Sequence, residues 1–157
     1  MPYQIHKAVV IGAGTMGASI AAHLANVGVP VTLLDIVPKD VPEGDKAARN
    51  KVVNAGWDAC LKAKPANLMS PELKTFVKLG NLEDDFGVIA EADWICEAIV
   101  ENLKIKQDLM ARIDAIRKPN AIVSTNTSGI PVASIASECS KEFKKHFLGT
   151  HFFNDLV

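Results

Sequence analysis

The residues whose spacing best suits chemistry begin at Gly12-Ala13-Gly14-Thr15-Met16-Gly17, a G-x-G-x-x-G. The turn follows an apolar, β-branched run, Ala8–Ile11, and opens a helical stretch, Met16–Asn26. Asp35 closes a second apolar run, Val31–Leu34, about 20 residues on, where a dinucleotide site needs an acid. Each glycine has a physical task. Gly12 permits the tight turn, Gly14 lets the backbone approach a pyrophosphate, and Gly17 lets the helix pack close to the sheet. The helix start offers free N–H groups and the positive end of its dipole to phosphates. Asp35 can accept hydrogen bonds from the adenosine ribose hydroxyls and would repel a 2′-phosphate. No arginine follows in the next several residues, and Lys39 is the nearest cation, so the expected cofactor is NAD rather than NADP. Thr15, Met16 and Ile36 join the expected cofactor site. The competing reading is that the glycines only make a turn and Asp35 only caps a strand.

A second constellation lies in Glu97–Asn102, Ser124–Gly129 and Gly149–Asn154. Each falls at the carboxyl end of an expected strand, the edge at which open α/β sheets bind ligands. Hydride removal from an alcohol requires a base for the hydroxyl proton. His151 suits that role, because an imidazole takes and returns protons near neutral pH. Ser128 can hold the substrate oxygen. The alternatives are a structural histidine in a strand, a turn or cap hydroxyl and, for Glu101, a first-turn acid of the helix at Leu103.

These groups need a scaffold to bring them together. Strands are expected at Ala8–Ile11, Val31–Leu34, Phe76–Leu79, Asp93–Ile99, Ala121–Ser124 and Phe147–Phe153. Helices are expected over Met16–Asn26, between Lys46 and Lys64, and at Asp84–Glu91, Leu103–Ile116 and Val132–Ser137. Ile20, Leu24 and Val27 should face the core from the first helix, and Val52, Val53, Trp57 and Leu61 from the second. The alternation of strand and helix implies an α/β, Rossmann-type doubly wound sheet, mostly parallel, with helices on both faces. Residues 1–157 read as one domain, large enough to bury a core.

Composition narrows the function classes. The net charge of -1 leaves no basic excess for nucleic acid or an acidic membrane. Lys141, Lys144 and Lys145 read as a solvated helix end. Ile20–Val29 is interrupted by His23, Asn26 and Gly28, so it is no membrane span, and the N-terminus does not resemble a signal peptide. Cys60, Cys96 and Cys139 form no C-x-x-C pair, so no metal site is expected. A reducing, cytoplasmic location is expected, where the sequon at Asn126 would go unused.

The segments KAVVIGAGTMGASIAAHLANVGVPVTLLD, EAIVENLKIKQDL, STNTSGIPV and LGTHFFN resemble the amino-terminal domain of 3-hydroxyacyl-CoA dehydrogenases over almost the whole chain. The Ile36–Leu79 region, with KPANL and GNLEDD, is similar to the large bacterial β-oxidation type. The resemblance implies oxidation of (S)-3-hydroxyacyl-CoA to 3-ketoacyl-CoA with NAD as hydride acceptor. It makes His151 the base, Ser128 the group bonding the substrate's 3-oxygen, and Asn154 a site residue of the HFFN motif. It also places Glu101, Lys106 and Asn126 around the cofactor. Acyl-CoA is the implied partner, and a homodimer the implied assembly of the parent protein. Two departures stand out. Asp155 replaces the family's proline, so either Asp155-Leu156-Val157 is not native or the turn differs. The glutamate that orients the histidine, and the helical domain for substrate and dimerisation, would lie beyond Val157. The sequence is therefore expected to be a truncated piece that binds NAD yet is catalytically incomplete. Rival readings are another β-hydroxyacid-type dehydrogenase and a non-catalytic NAD-binding module or redox sensor.

Overall fold

The computed structural model describes residues 3–153. Six strands, β1 (Ala8–Ile11), β2 (Val31–Asp35), β3 (Val77–Asn81), β4 (Trp94–Glu97), β5 (Ile122–Thr125) and β6 (Phe147–Gly149), form one sheet in the order β3-β2-β1-β4-β5-β6. Every recorded pairing is parallel. The helices are α1 (Thr15–Asn26), α2 (Lys46–Arg49), α3 (Lys51–Lys62), α4 (Leu103–Ile116), α5 (Val132–Ile135) and α6 (Lys141–Lys145), with 3-10 turns at Pro71–Phe76 and Phe86–Glu91. This is the doubly wound Rossmann architecture. The order in which successive strands are added reverses between β1 and β4, and a crevice opens there.

β1 is buried on both faces, which is why it reads as an unbroken apolar run rather than an alternating one. Its side chains still divide by parity. Val9 and Ile11 join Ile95, Met110, Ile113, Ile135 and Phe143 in one core layer. Val10 joins Leu33, Cys96, Ile20 and Trp57 in the other. Each fully buried aliphatic contributes roughly 1.5–3 kcal/mol, so the two layers hold the central strands rigidly beneath the crevice. All three cysteines are buried and unpaired. Among the described residues no helix is long and apolar enough to cross a membrane, and no cluster of metal-ligating side chains occurs.

Several expected boundaries move for identifiable reasons. Val27 is 62% exposed because it is the C-cap of α1, beyond the last core-facing turn. The helix expected between Lys46 and Lys64 breaks at Asn50 into α2 and α3, and Cys60, not the exposed Leu61, continues the buried stripe of Val53 and Trp57. β3 runs two residues further than expected, because Asn81 pairs with Asp35 at the end of β2. The strand expected from Asp93 to Ile99 shortens to β4. The Asp93 carboxylate accepts the Lys7 N–H, and the Ile99 N–H turns back to the Glu97 carboxylate. The last expected strand ends at Gly149 rather than Phe153. The Asn126 side-chain carbonyl accepts the Phe152 N–H there, so the chain leaves the ladder.

Candidate functional site

The glycine turn after β1 is tight on three sides and open on one. Gly12 has φ +105°, a left-handed conformation, and a Cβ there would collide with the Ala98 carbonyl on β4's exit loop. A Cβ on Gly17 would strike the Gly12 carbonyl, so only glycine lets α1 sit this close to the strand end. Gly14, the N-cap of α1, has open space where its Cβ would be, and its side chain-free cap leaves that space clear for an anion. Gly56, on α3, was not expected in the site. A Cβ there would collide with the Ala13 carbonyl, so α3 presses on the back of the turn. A glycine inside a helical run costs about 1 kcal/mol relative to alanine, and that cost was the available signal.

Asp35 is pinned from two directions. Its Oδ2 accepts the Ala13 N–H at 2.7 Å and its Oδ1 accepts the Ile36 N–H at 2.6 Å. A carboxylate offers about four acceptor positions, so capacity remains for two ribose hydroxyls. Gly12, Gly14, Asp35 and Ile36 line a cleft of about 610 Å³, within the range of small-molecule sites. Val100, Ile105 and Leu109 form its apolar wall, and Arg112 stands at its rim. The Arg112 guanidinium is held 4.0 Å above the Phe86 ring and donates to the Leu82 carbonyl. An acid at the strand end, a bare glycine cap and an apolar slot together fit the adenosine and pyrophosphate of a dinucleotide. Thr15 and Met16 border neighbouring hollows instead, Thr15 with Gly56 and Cys60, Met16 with His23 and Phe152.

The other side of the crevice is built from side-chain bonds. Glu97, fully buried at the end of β4, accepts Lys106 Nζ at 2.7 Å and the Thr125 hydroxyl at 2.8 Å. Lys106 was expected to line the cofactor site. The structure places it beneath the loop, 1% exposed, its ammonium also donating to the Ile99 carbonyl. The Glu101 carboxylate accepts the Thr127 hydroxyl at 2.6 Å and the Ser128 N–H at 3.2 Å. Those bonds hold its pKa below the usual glutamate value, Thr127 foremost. Asn126 donates its N–H to the Glu97 carbonyl and accepts the Phe152 N–H on its side chain, stitching the exit of β5 to that of β6.

Ser128 and His151 thus sit on neighbouring exits. Thr125 pairs with Gly149 across β5 and β6, and the two candidate residues follow three and two positions later. Both are exposed, and the His151 ring lies 4.6 Å from that of Phe153. Phe152 stacks on Trp94, whose indole N–H donates to Ser124 at 2.8 Å. Asn154 lies outside the described residues. Thr127, Thr125 and Glu97 were missed as functional candidates, because only the strand order shows that they meet.

Comparisons with known proteins agree with this geometry. The family model described as 3-hydroxyacyl-CoA dehydrogenase, NAD binding domain, matches residues 7–157. A probable 3-hydroxyacyl-CoA dehydrogenase of Bacillus subtilis is 47% identical, over 98% of this chain and 21% of its own length. A probable 3-hydroxyacyl-CoA dehydrogenase of Deinococcus radiodurans is 46% identical, over 96% of this chain and 42% of its own. The chain therefore spans less than half the length of these curated relatives. The crystal structure of (S)-3-hydroxybutyryl-CoA dehydrogenase from Ralstonia eutropha superposes with a TM-score of 0.69 at 28% identity, covering 96% of this chain and 50% of that one. With its glycine turn, its pinned acid and a match over nearly its entire length, the chain belongs to the family of NAD-binding domains of 3-hydroxyacyl-CoA dehydrogenases.

Proposed function

We propose that this chain forms the cofactor half of an enzyme of fatty-acid β-oxidation, which oxidises an (S)-3-hydroxyacyl-CoA to the 3-ketoacyl-CoA. The observation that carries the reading is the meeting of two sets of groups at one sheet edge. The glycine turn and Asp35 stand on the exits of β1 and β2, Ser128 and His151 on the exits of β5 and β6. When bound, NAD supplies the acceptor for the hydride that leaves C3 of the substrate. The protein's own residues do the rest. Asp35 takes the ribose hydroxyls, and the turn's backbone receives the pyrophosphate. Ser128 donates a hydrogen bond to the 3-oxygen and orients the reacting carbon. His151 accepts the hydroxyl proton as the hydride departs, and returns it in the reverse direction.

The greater length of the relatives supports assigning the acyl-chain site and the homodimer contact to further chain, and the glutamate that would orient His151 with them. On that reading residues 1–157 alone bind NAD and turn over poorly, in a cytoplasmic setting. In the full-length protein, His151→Ala should lower kcat by about 10³-fold, within the usual range for a lost general base. The NADH dissociation constant, measured by fluorescence titration, should stay within about twofold, since no cofactor-cleft contact is lost. A variant that keeps its kcat would remove His151 from the mechanism.

A further inference from the structure

We propose that Thr127 is a positioning residue for Ser128, acting through the carboxylate of Glu101. The proposal rests on the reading of Ser128 as the group that holds the substrate oxygen. Ser128 is exposed on the loop after β5, and its hydroxyl makes no hydrogen bond among the described residues. Something else must hold it in place, because a catalytic group misplaced by about 1 Å can cost on the order of 10²-fold in rate.

That support converges on one oxygen. Glu101 Oε1 accepts the Thr127 hydroxyl at 2.6 Å and the Ser128 N–H at 3.2 Å. A Cβ on Gly129 would stand 2.9 Å from Glu101 Oε2, so the backbone beyond Ser128 also lies close against this carboxylate. The loop therefore wraps closely around the carboxylate. The wrap is anchored from below. The Thr127 N–H reaches the Thr125 hydroxyl at 3.4 Å, and that hydroxyl donates to the buried Glu97, itself held by Lys106. The Ile99 N–H bonds the same Glu97 side chain, which fixes the start of the loop that carries Glu101. Thr127 is thus the joint between the loop after β4, which walls the cofactor cleft, and the loop after β5, which presents Ser128. A charge-assisted O–H···O bond is short and strong, and the weaker Ser128 N–H contact follows wherever it puts the carboxylate.

The test is steady-state kinetics on the full-length protein with a 3-hydroxyacyl-CoA, comparing Thr127→Val, Thr127→Ser and Ser128→Ala. Valine keeps the shape and removes the donor, and serine restores the donor. Thr127→Val should lower kcat by about 10-fold, a fraction of the penalty for a misplaced group. The KM for NAD should stay within about threefold, because the glycine turn and Asp35 are untouched. Thr127→Ser should recover most of the rate. Amide exchange at Ser128 should quicken in the valine variant alone. A wild-type kcat in Thr127→Val beside an impaired Ser128→Ala would overturn the proposal and leave the role of Ser128 intact. A wild-type kcat in Ser128→Ala would remove both. If the valine variant does not fold, Thr127→Ala carries the same comparison with the same outcomes.

Discussion

The two sides of the crevice are made by opposite means. On the β1–β2 side the chain works by omission. Gly12, Gly17 and Gly56 lack side chains at points where a Cβ would strike a backbone carbonyl, and Gly14 leaves space in front of α1. On the β4–β6 side it works by connection. Glu97, Lys106, Thr125, Glu101, Thr127 and Asn126 are tied by hydrogen bonds into one body. A surface made by omission tolerates no additions, and one made by connection tolerates no deletions. The first side can therefore be damaged by gaining a methyl group, the second by losing a single polar atom.

The largest effect is expected on the connected side. Lys106→Met strips the one ammonium that, among the described residues, bonds the Glu97 carboxylate, which is 0% exposed. An uncompensated buried charge costs about 3–5 kcal/mol, and urea denaturation should register a loss of that size. A loss under about 1 kcal/mol would mean the pair is dispensable. A smaller effect is expected on the other side. Gly56→Ala improves helix propensity by about 1 kcal/mol but drives a methyl into the Ala13 carbonyl. Overpacking costs about 1–3 kcal/mol, so global stability should fall by no more than about 2 kcal/mol while NADH affinity falls, the turn having been pushed toward the cofactor. Unchanged NADH affinity would show that α3 yields and that the turn is not braced from behind.

The smallest effect concerns acid. Asp84, bonded to Arg49 and Asn81 beyond β3, has its pKa lowered to about 2, with the Arg49 bond as the main cause. Its folded value lies below its unfolded one. The stabilisation is therefore complete above the ordinary aspartate range and is lost as pH falls from about 4 toward about 2. Carboxyl NMR should find Asp84 titrating below the ordinary aspartate value, and Arg49→Ala should raise it toward that value.

The same contrast explains what could be read from the amino-acid sequence. Gly12, Gly14, Gly17 and Asp35 announce themselves because their requirements are local, a turn and the next strand's end. Glu97 and Lys106 do not, since their partnership depends on α4 folding back over the β4 exit. Gly56 looked like an ordinary helical residue until α3 lay against Ala13. The short β6 was hidden for a related reason. An apolar run through Phe153 reads as strand, but the side chain of Asn126, distant in sequence, takes the Phe152 N–H. Leu61 and Val27 misled because helical periodicity gives no warning of where a helix leaves the core.

The seam between β1 and β4 has a further consequence, one of time. β1, β2 and β3 are adjacent in the sheet and emerge from the ribosome together, by residue Asn81. β4 must then return to pair with a strand made much earlier, and the bond from Lys7 N–H to Asp93 spans 86 residues. Non-local pairing of this kind is slow, because chain entropy is lost before the contact forms. The nascent first half thus carries an unpaired strand edge on β1, and the cofactor cleft straddles that edge. Nucleotide cannot assist folding until β4 has arrived, so until then β1's open edge is available for wrong pairing.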